Sequence, residues 1–171
     1  MSDETPTPLV TAAEIDAAPA LTVTHPLNPD SEVHLRWLSR RAGMQRVHLT
    51  LARIPPGKES FIYHSHAAEE EFVYILSGRG RAEVGDEVFE VGPGDFLGFP
   101  TPSVGHHLTN PYDEDLVYLM GGEQASVEVA EFPRAGKVLF RRGEEVFLAD
   151  RDAVEHYSMA DWIKANVKES G

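Results

Sequence analysis

Between Gly57 and Gly78 the sequence places His64, Ser65 and His66, then the acids Glu69, Glu70 and Glu71, then the apolar run Phe72 to Leu76. Two histidines spaced two apart put both imidazoles on one side of an extended chain, because side chains alternate faces along a strand. That is a chelating geometry. The apolar run has the texture of a buried strand, so one of the acids at 69–71 is carried to the edge of burial. An unpaired buried carboxylate is strongly disfavoured, and a metal ion is one partner that removes the penalty. The remaining question is whether the chain supplies a further ligand and the walls to hold it.

A chain of 171 residues suits one domain with a substantial core. Its 28 acidic and 15 basic residues give a formal charge of −13, so a nucleic acid would meet a repulsive average field and is not expected as a partner. There is no cysteine, which leaves only histidine and carboxylate ligands and removes thiolate catalysis and disulfides. The start, Met-Ser-Asp-Glu-Thr-Pro, lacks a basic region followed by an apolar core, and no apolar run is long enough to cross a bilayer. The expectation is a soluble, cytoplasmic protein with no membrane partner.

Thr11 to Glu14 forms a capping-box pattern, predicting a short helix that stops before Pro19. Residues 25–31, with Pro26 and Pro29 among polar residues, read as a loop. From Glu32 apolar and polar residues alternate, as in Val33, Leu35 and Trp37 and again in Val47, Leu49 and Leu51, which predicts two strands. Val84-Gly-Asp-Glu87 predicts a two-residue hairpin turn that pairs Ala82 with Phe89 and Arg81 with Glu90. Further strands are predicted at 96–99, 116–120, 127–132, 138–141 and 146–148, and a terminal helix follows Ser158 with Trp162, Ile163, Ala165 and Val167 on it. Strands this dense between Gly/Pro turns point to an all-β sandwich or barrel. The expected organisation is an N-terminal extension at 1–31, a β-barrel at 32–150 and a C-terminal tail with its helix at 151–171.

Gly57, His64, His66, Glu71 and Gly78 together resemble the first motif of the cupins, small jelly-roll β-barrels. The spacer from Gly57 to His64 is one residue longer than the family's usual one. Gly92 or Gly85, Pro93, Gly94, His106 and Asn110 resemble the second motif, with a longer loop at 95–105. The resemblance implies a cupin jelly-roll barrel holding one divalent transition metal ion (Fe, Mn, Ni, Zn, Co or Cu) on His64, His66, Glu71 and His106. Hard Mg or Ca suits such nitrogen-rich ligands less well. Face parity and the distance to Gly78 favour Glu71 over Glu70, and the gap to Asn110 favours His106 over His107.

Function divides into classes on this fold. One is a metal-dependent enzyme whose small oxygen-bearing substrate chelates the ion, with a dioxygenase as the preferred form. Another is a Lewis-acid isomerase or decarboxylase of the sugar or sugar-phosphate type, for which Arg53, Arg79 and Arg81 are candidate phosphate anchors. A third is a non-catalytic module that binds a small molecule. The aromatic and imidazole residues Trp37, Tyr63, Phe99, Tyr118, His34 and His48 are possible pocket walls without an assigned role. Pairing through sheet edges makes a homodimer the expected assembly.

Overall fold

The computed structural model describes residues 6–166. A short helix, α1 (Ala12–Ala17), precedes the strands β1 (Leu21–His25), β2 (Asn28–Trp37), β3 (Val47–Ile54), β4 (Ser65–His66), β5 (Glu71–Ser77), β6 (Gly80–Val84) and β7 (Glu87–Val91). Then come β8 (Phe96–Phe99), β9 (His106–Thr109), β10 (Leu116–Glu123), β11 (Val127–Phe132), β12 (Lys137–Arg142), β13 (Glu145–Asp150) and the helix α2 (Met159–Asn166). The class is all-β, as the sequence predicts. Strands order as β1-β2-β3-β10-β5-β8 in a large sheet, β13-β12-β11-β4 in a second and β7-β6-β9 in a third. Isolated bridges stitch these sheets together, including one between His64 and His106.

Alternation explains the interior. Ser31, Val33 and Leu35 on β2 and Thr50, Ala52 and Ile54 on β3 are buried, while the residues between them are not. Val33, Leu35, Ala52 and Ile54 form one continuous core with Val73 and Ile75 from β5 and Leu116 and Tyr118 from β10. Each fully buried aliphatic side chain contributes about 1.5–3 kcal/mol, so these inward rows are what fixes the register. A smaller cluster of Ile62, Ala130 and Phe132 lies under the second sheet. No helix among the described residues is long and apolar enough to cross a membrane.

The hairpin pairs Ala82 with Phe89 and Arg81 with Glu90, as its turn predicts, and the Arg81 Nε–Glu90 contact is 2.6 Å on the outer face. The predicted capping box is present at Thr11 and Glu14. Residues 25–31 differ from expectation. Asn28 already belongs to β2, and β1 pairs with it from Leu21, so the large sheet starts ahead of Glu32. Proline is tolerated here because Pro29 lies beside a register shift on an outer pair of strands, where no ladder N–H is demanded of it. The terminal helix forms with Ser158 as its cap, the Asp161 N–H donating to Ser158 Oγ at 3.1 Å. Its apolar side chains are not buried: Met159, Trp162 and Ile163 are exposed, and the Trp162 ring meets Tyr157 edge-on. Val167 lies outside the described residues.

Gly78 closes the first motif by turning β5 into β6. Its φ is +76°, and a Cβ there would collide with the Asp115 backbone carbonyl. Gly78→Ala should therefore cost about 3 kcal/mol or more, left-handed strain adding to the collision. Gly92→Ala, with open space around it, should change stability by less than about 1 kcal/mol. Urea unfolding of both variants checks this, and equal midpoints would contradict it.

Candidate metal centre

His64 and His106 are brought together by their own backbones. The His64 N–H donates to the His106 carbonyl at 3.1 Å, and the His106 N–H donates to the His64 carbonyl at 2.8 Å. His66 is held by β4, which pairs with Ala130 of β11, and by Ser103 in the loop before β9. The His66 N–H donates to Ser103 Oγ at 2.7 Å, and the Ser103 N–H donates to the His66 carbonyl at 2.9 Å. Glu71 enters as the first inward residue of β5, opposite Gly122 on one side and Phe99 on the other. Gly122 makes room for it, since a Cβ there would meet the Glu70 carbonyl and crowd Glu71.

The ligand-capable atoms of His64, His66, Glu71 and His106 all lie within 4.8 Å of one another. Bonds of about 2.1 Å to a shared ion would span such a group. Glu71 Oε2 is 3.2 Å from His66 Nε2 and 3.3 Å from His106 Nε2. The rings of His64 and His106 have their outward nitrogens spoken for: Nδ1 of His64 faces the Ile62 carbonyl at 2.6 Å, and Nδ1 of His106 faces the Val104 carbonyl at 3.1 Å. An Nδ1–H donating outward leaves the Nε2 lone pair aimed inward, which is the tautomer a metal ligand needs. Phe99 stacks on the His106 ring at 3.9 Å and fixes its plane. Among the described residues neither ring nitrogen of His66 makes a well-aligned hydrogen bond, although Glu71 lies within reach of Nε2. A divalent ion fits this donor set, supplying the well-aligned partner that His66 lacks.

Electrostatics at the cluster are dominated by burial and mutual charge. Burial, and then the charges of His106 and His66, push His64 down to about 3. Burial also disfavours the His66 cation, but the Glu71 carboxylate beside it, with Glu128 and Glu69 behind, outweighs this and raises its pKa. Burial opposes the Glu71 charge in turn, and the contacts with His106 and His66 overcome it, holding the carboxyl below its usual range.

The neighbouring candidates fall elsewhere. Glu70 is exposed. Glu69 pairs with Arg141 and accepts the Ala125 N–H at 2.6 Å. His107 points away from the cluster, towards Glu59 at 3.6 Å and Glu83 at 3.8 Å, and burial lowers its pKa. Asn110 is buried and donates to the Ile54 and Glu114 carbonyls at 2.9 and 2.8 Å, a structural tie. Tyr63 borders a separate hollow beside His107 and Arg134. His34 bonds Glu32 at 2.9 Å and Thr22 at 3.1 Å on the outer face.

Two spaces adjoin the cluster. A cavity of about 50 Å³ is lined by His64, Glu71 and His106 together with Phe99, Tyr118 and Met120. A cleft of about 760 Å³, bordered by Trp37, His48 and Arg141, opens on the other side of Met120. His48 is the residue whose role sequence reasoning missed. Its Nε2 lies 3.9 Å from Glu71 Oε1, and burial lowers its pKa, with Glu71 and Glu69 offsetting only part of the effect. Glu128 was also missed. Only 2% exposed, it accepts the N–H groups of Ala67 and Ala68 at 2.8 and 3.1 Å and so fixes the chain just beyond His66. Its signal lay in the alternation of β11, where it shares the inward row with Ala130 and Phe132.

The cupin domain family matches residues 50–122, which include all four residues of the cluster. A solved structure of a candidate sugar phosphate isomerase from Acidithiobacillus ferrooxidans is 35% identical, covers 88% of this chain and 96% of its own, and superposes with a TM-score of 0.84. The chain belongs to the cupin family. A second cupin, a sugar phosphate isomerase from Silicibacter pomeroyi, is 20% identical over 88% of this chain and 98% of its own, with a TM-score of 0.76, and shows the shared fold. An uncharacterized protein of Methanocaldococcus jannaschii is 39% identical over 62 residues, 36% of this chain. The match spans about half, 48%, of that relative's length.

The wild-type cupin should take up one divalent transition metal ion per chain. His66→Ala or His106→Ala should weaken binding at least 100-fold, and Glu128→Gln, acting through the backbone beside His66, about 10-fold. Calorimetric titration with Ni or Co measures both, and undiminished affinity in the histidine variants would rule the cluster out. Metal must displace a proton from His66 below that residue's raised pKa, so affinity should fall at least about tenfold per pH unit there and level off above it. His64, at about 3, adds nothing to that window. Competition with a chelator across pH reads the slope.

Proposed function

We propose that this cupin is a metal-dependent isomerase acting on a small oxygen-bearing substrate. The observation that carries the reading is the position of His48, on the inward row of β3 between the four-residue cluster and the open cleft, 3.9 Å from Glu71. A bound divalent ion would polarise a substrate carbonyl and stabilise negative charge developing on its oxygen. His48 then takes the proton from the carbon beside the carbonyl and returns it to the former carbonyl carbon, while a second proton passes between the two oxygens. No oxidant is consumed. Glu71 holds its charge beside the ligand cluster, and the apolar wall of Phe99, Tyr118 and Met120 keeps bulk water from the inner side.

The 35% identical relative with its isomerase assignment supports this reading over the dioxygenase preferred from sequence alone. A transferable imidazole also favours it, since proton shuttling between adjacent carbons needs a base that oxygen insertion does not. The two readings separate in one experiment. Metal-loaded protein is incubated in D2O with aldoses, ketoses and their phosphate esters, and proton NMR follows deuterium incorporation beside the carbonyl, with an oxygen electrode in parallel. Deuterium exchange without oxygen uptake is expected, and His48→Asn should slow it by about 10²–10⁴-fold with metal content unchanged. Oxygen uptake without exchange would restore the dioxygenase, and tight binding without either would make the protein a binder.

A further inference from the structure

We infer that the substrate is a neutral polyhydroxy compound, an unphosphorylated sugar or polyol, seated in the polar cleft that meets the metal cluster at His48. This rests on the isomerase reading and adds the class of substrate. The cleft is lined by two cations and three carboxylates, Glu69, Glu123 and Glu144. One cation is committed to a carboxylate, and the other is held against an aromatic ring. Arg141 is bound to Glu69 and to the Ala125 carbonyl, the latter at 3.0 Å. The Arg40 guanidinium lies 4.7 Å from the centre of the Trp37 ring.

Phosphate sites are built from free arginine forks, lysines or backbone N–H groups at helix N-termini. Among the described residues no lysine lines this cleft, and neither α1 nor α2 contributes to it. The arginines that the sequence offered as phosphate anchors are all engaged away from the cleft. Arg53 pairs with Asp115 at 2.9 Å, Arg79 with Glu114 at 3.4 Å and Arg81 with Glu90 at 2.6 Å. A dianion entering the cleft would therefore meet a net negative wall, on a chain whose formal charge is −13.

The same wall suits hydroxyl groups. Carboxylates accept from them, and the amides of Gln45 and Gln124, which also line the cleft, both donate and accept. Trp37 is 42% exposed, and the part of its ring that Arg40 leaves uncovered offers an aromatic surface for the apolar C–H face of a sugar ring. A cleft of about 760 Å³ admits a monosaccharide with room for water.

The test measures binding and exchange side by side. Metal-loaded protein is titrated with D-glucose, D-mannose and D-xylose and with a phosphate monoester of each, using saturation-transfer NMR and calorimetry. At least one neutral sugar should bind at least tenfold more tightly than its ester. Trp37→Ala should weaken that binding about tenfold with unchanged metal content, and the double variant Glu123→Gln/Glu144→Gln should narrow the preference by improving ester binding. Tighter binding of the esters, or no binding of any neutral sugar, overturns the inference. If the esters also exchange deuterium, the isomerase reading survives that failure. If a neutral sugar binds with the expected preference but does not exchange, the substrate class stands and the isomerase reading falls.

Discussion

The paired backbone hydrogen bonds between His64 and His106 are the constraint on which the site depends. They force two imidazoles into one small volume, and the outward Nδ1 contacts to Ile62 and Val104 turn both Nε2 lone pairs inward. Glu71 adds a carboxylate to the same space, 3.2 Å from His66 Nε2 and 3.3 Å from His106 Nε2. Lone pairs that face the carboxylate repel it, and a proton, as the raised pKa of His66 records, or a metal cation relieves the contact. A cation reverses the sign of the whole arrangement. An ion present at a thousand times its Kd would stabilise the folded chain by about 4 kcal/mol, so binding and folding are coupled at this cluster.

The core makes that cluster possible by being rigid on one side and open on the other. Beneath it, Phe99 stacks on His106, and Tyr118, 1% exposed, fills the floor of the cavity; burial and the Glu71 charge raise the pKa of its phenol, so it stays neutral. Beyond Met120 the surface becomes polar, and His48 stands at the change. Strand parity explains this arrangement. His48 shares an inward row with Thr50, Ala52 and Ile54, but it lies at the end of that row, where the core gives way to the cleft.

Parity also decides what the sequence could reveal. The spacing of His64 and His66, the step from Glu71 into an apolar strand and the hairpin register at Gly85 are local patterns, and a strand turns each of them into geometry. His106 could be found only through a resemblance, because its pairing with His64 spans the β5–β8 segment and no local rule reports it. Glu128 was hidden for the same reason, and His48 could be offered only as a wall residue without a role: each lies in an alternating strand that looks ordinary until its neighbours are known. The prolines near residue 28 concealed the start of β2, since their tolerance depends on sitting beside a register shift in an outer strand pair. The helix α2 was legible as a helix, but nothing local tells whether its apolar side chains are buried, and they are not.

The family match and the cleft divide the chain in an informative way. Residues 50–122 carry His64, His66, Glu71 and His106, the four residues of the candidate metal cluster, and Thr50, Glu69 and Met120 of the cleft. Trp37, Arg40, Gln45 and His48 precede that segment, and Glu123, Gln124, Arg141 and Glu144 follow it. The flanking strands β2, β3, β11 and β12 complete the sheets, while they and the adjoining loops furnish the side chains a substrate would touch. The side chains that line the cleft therefore bear more directly on what this cupin would act upon than the shared fold does.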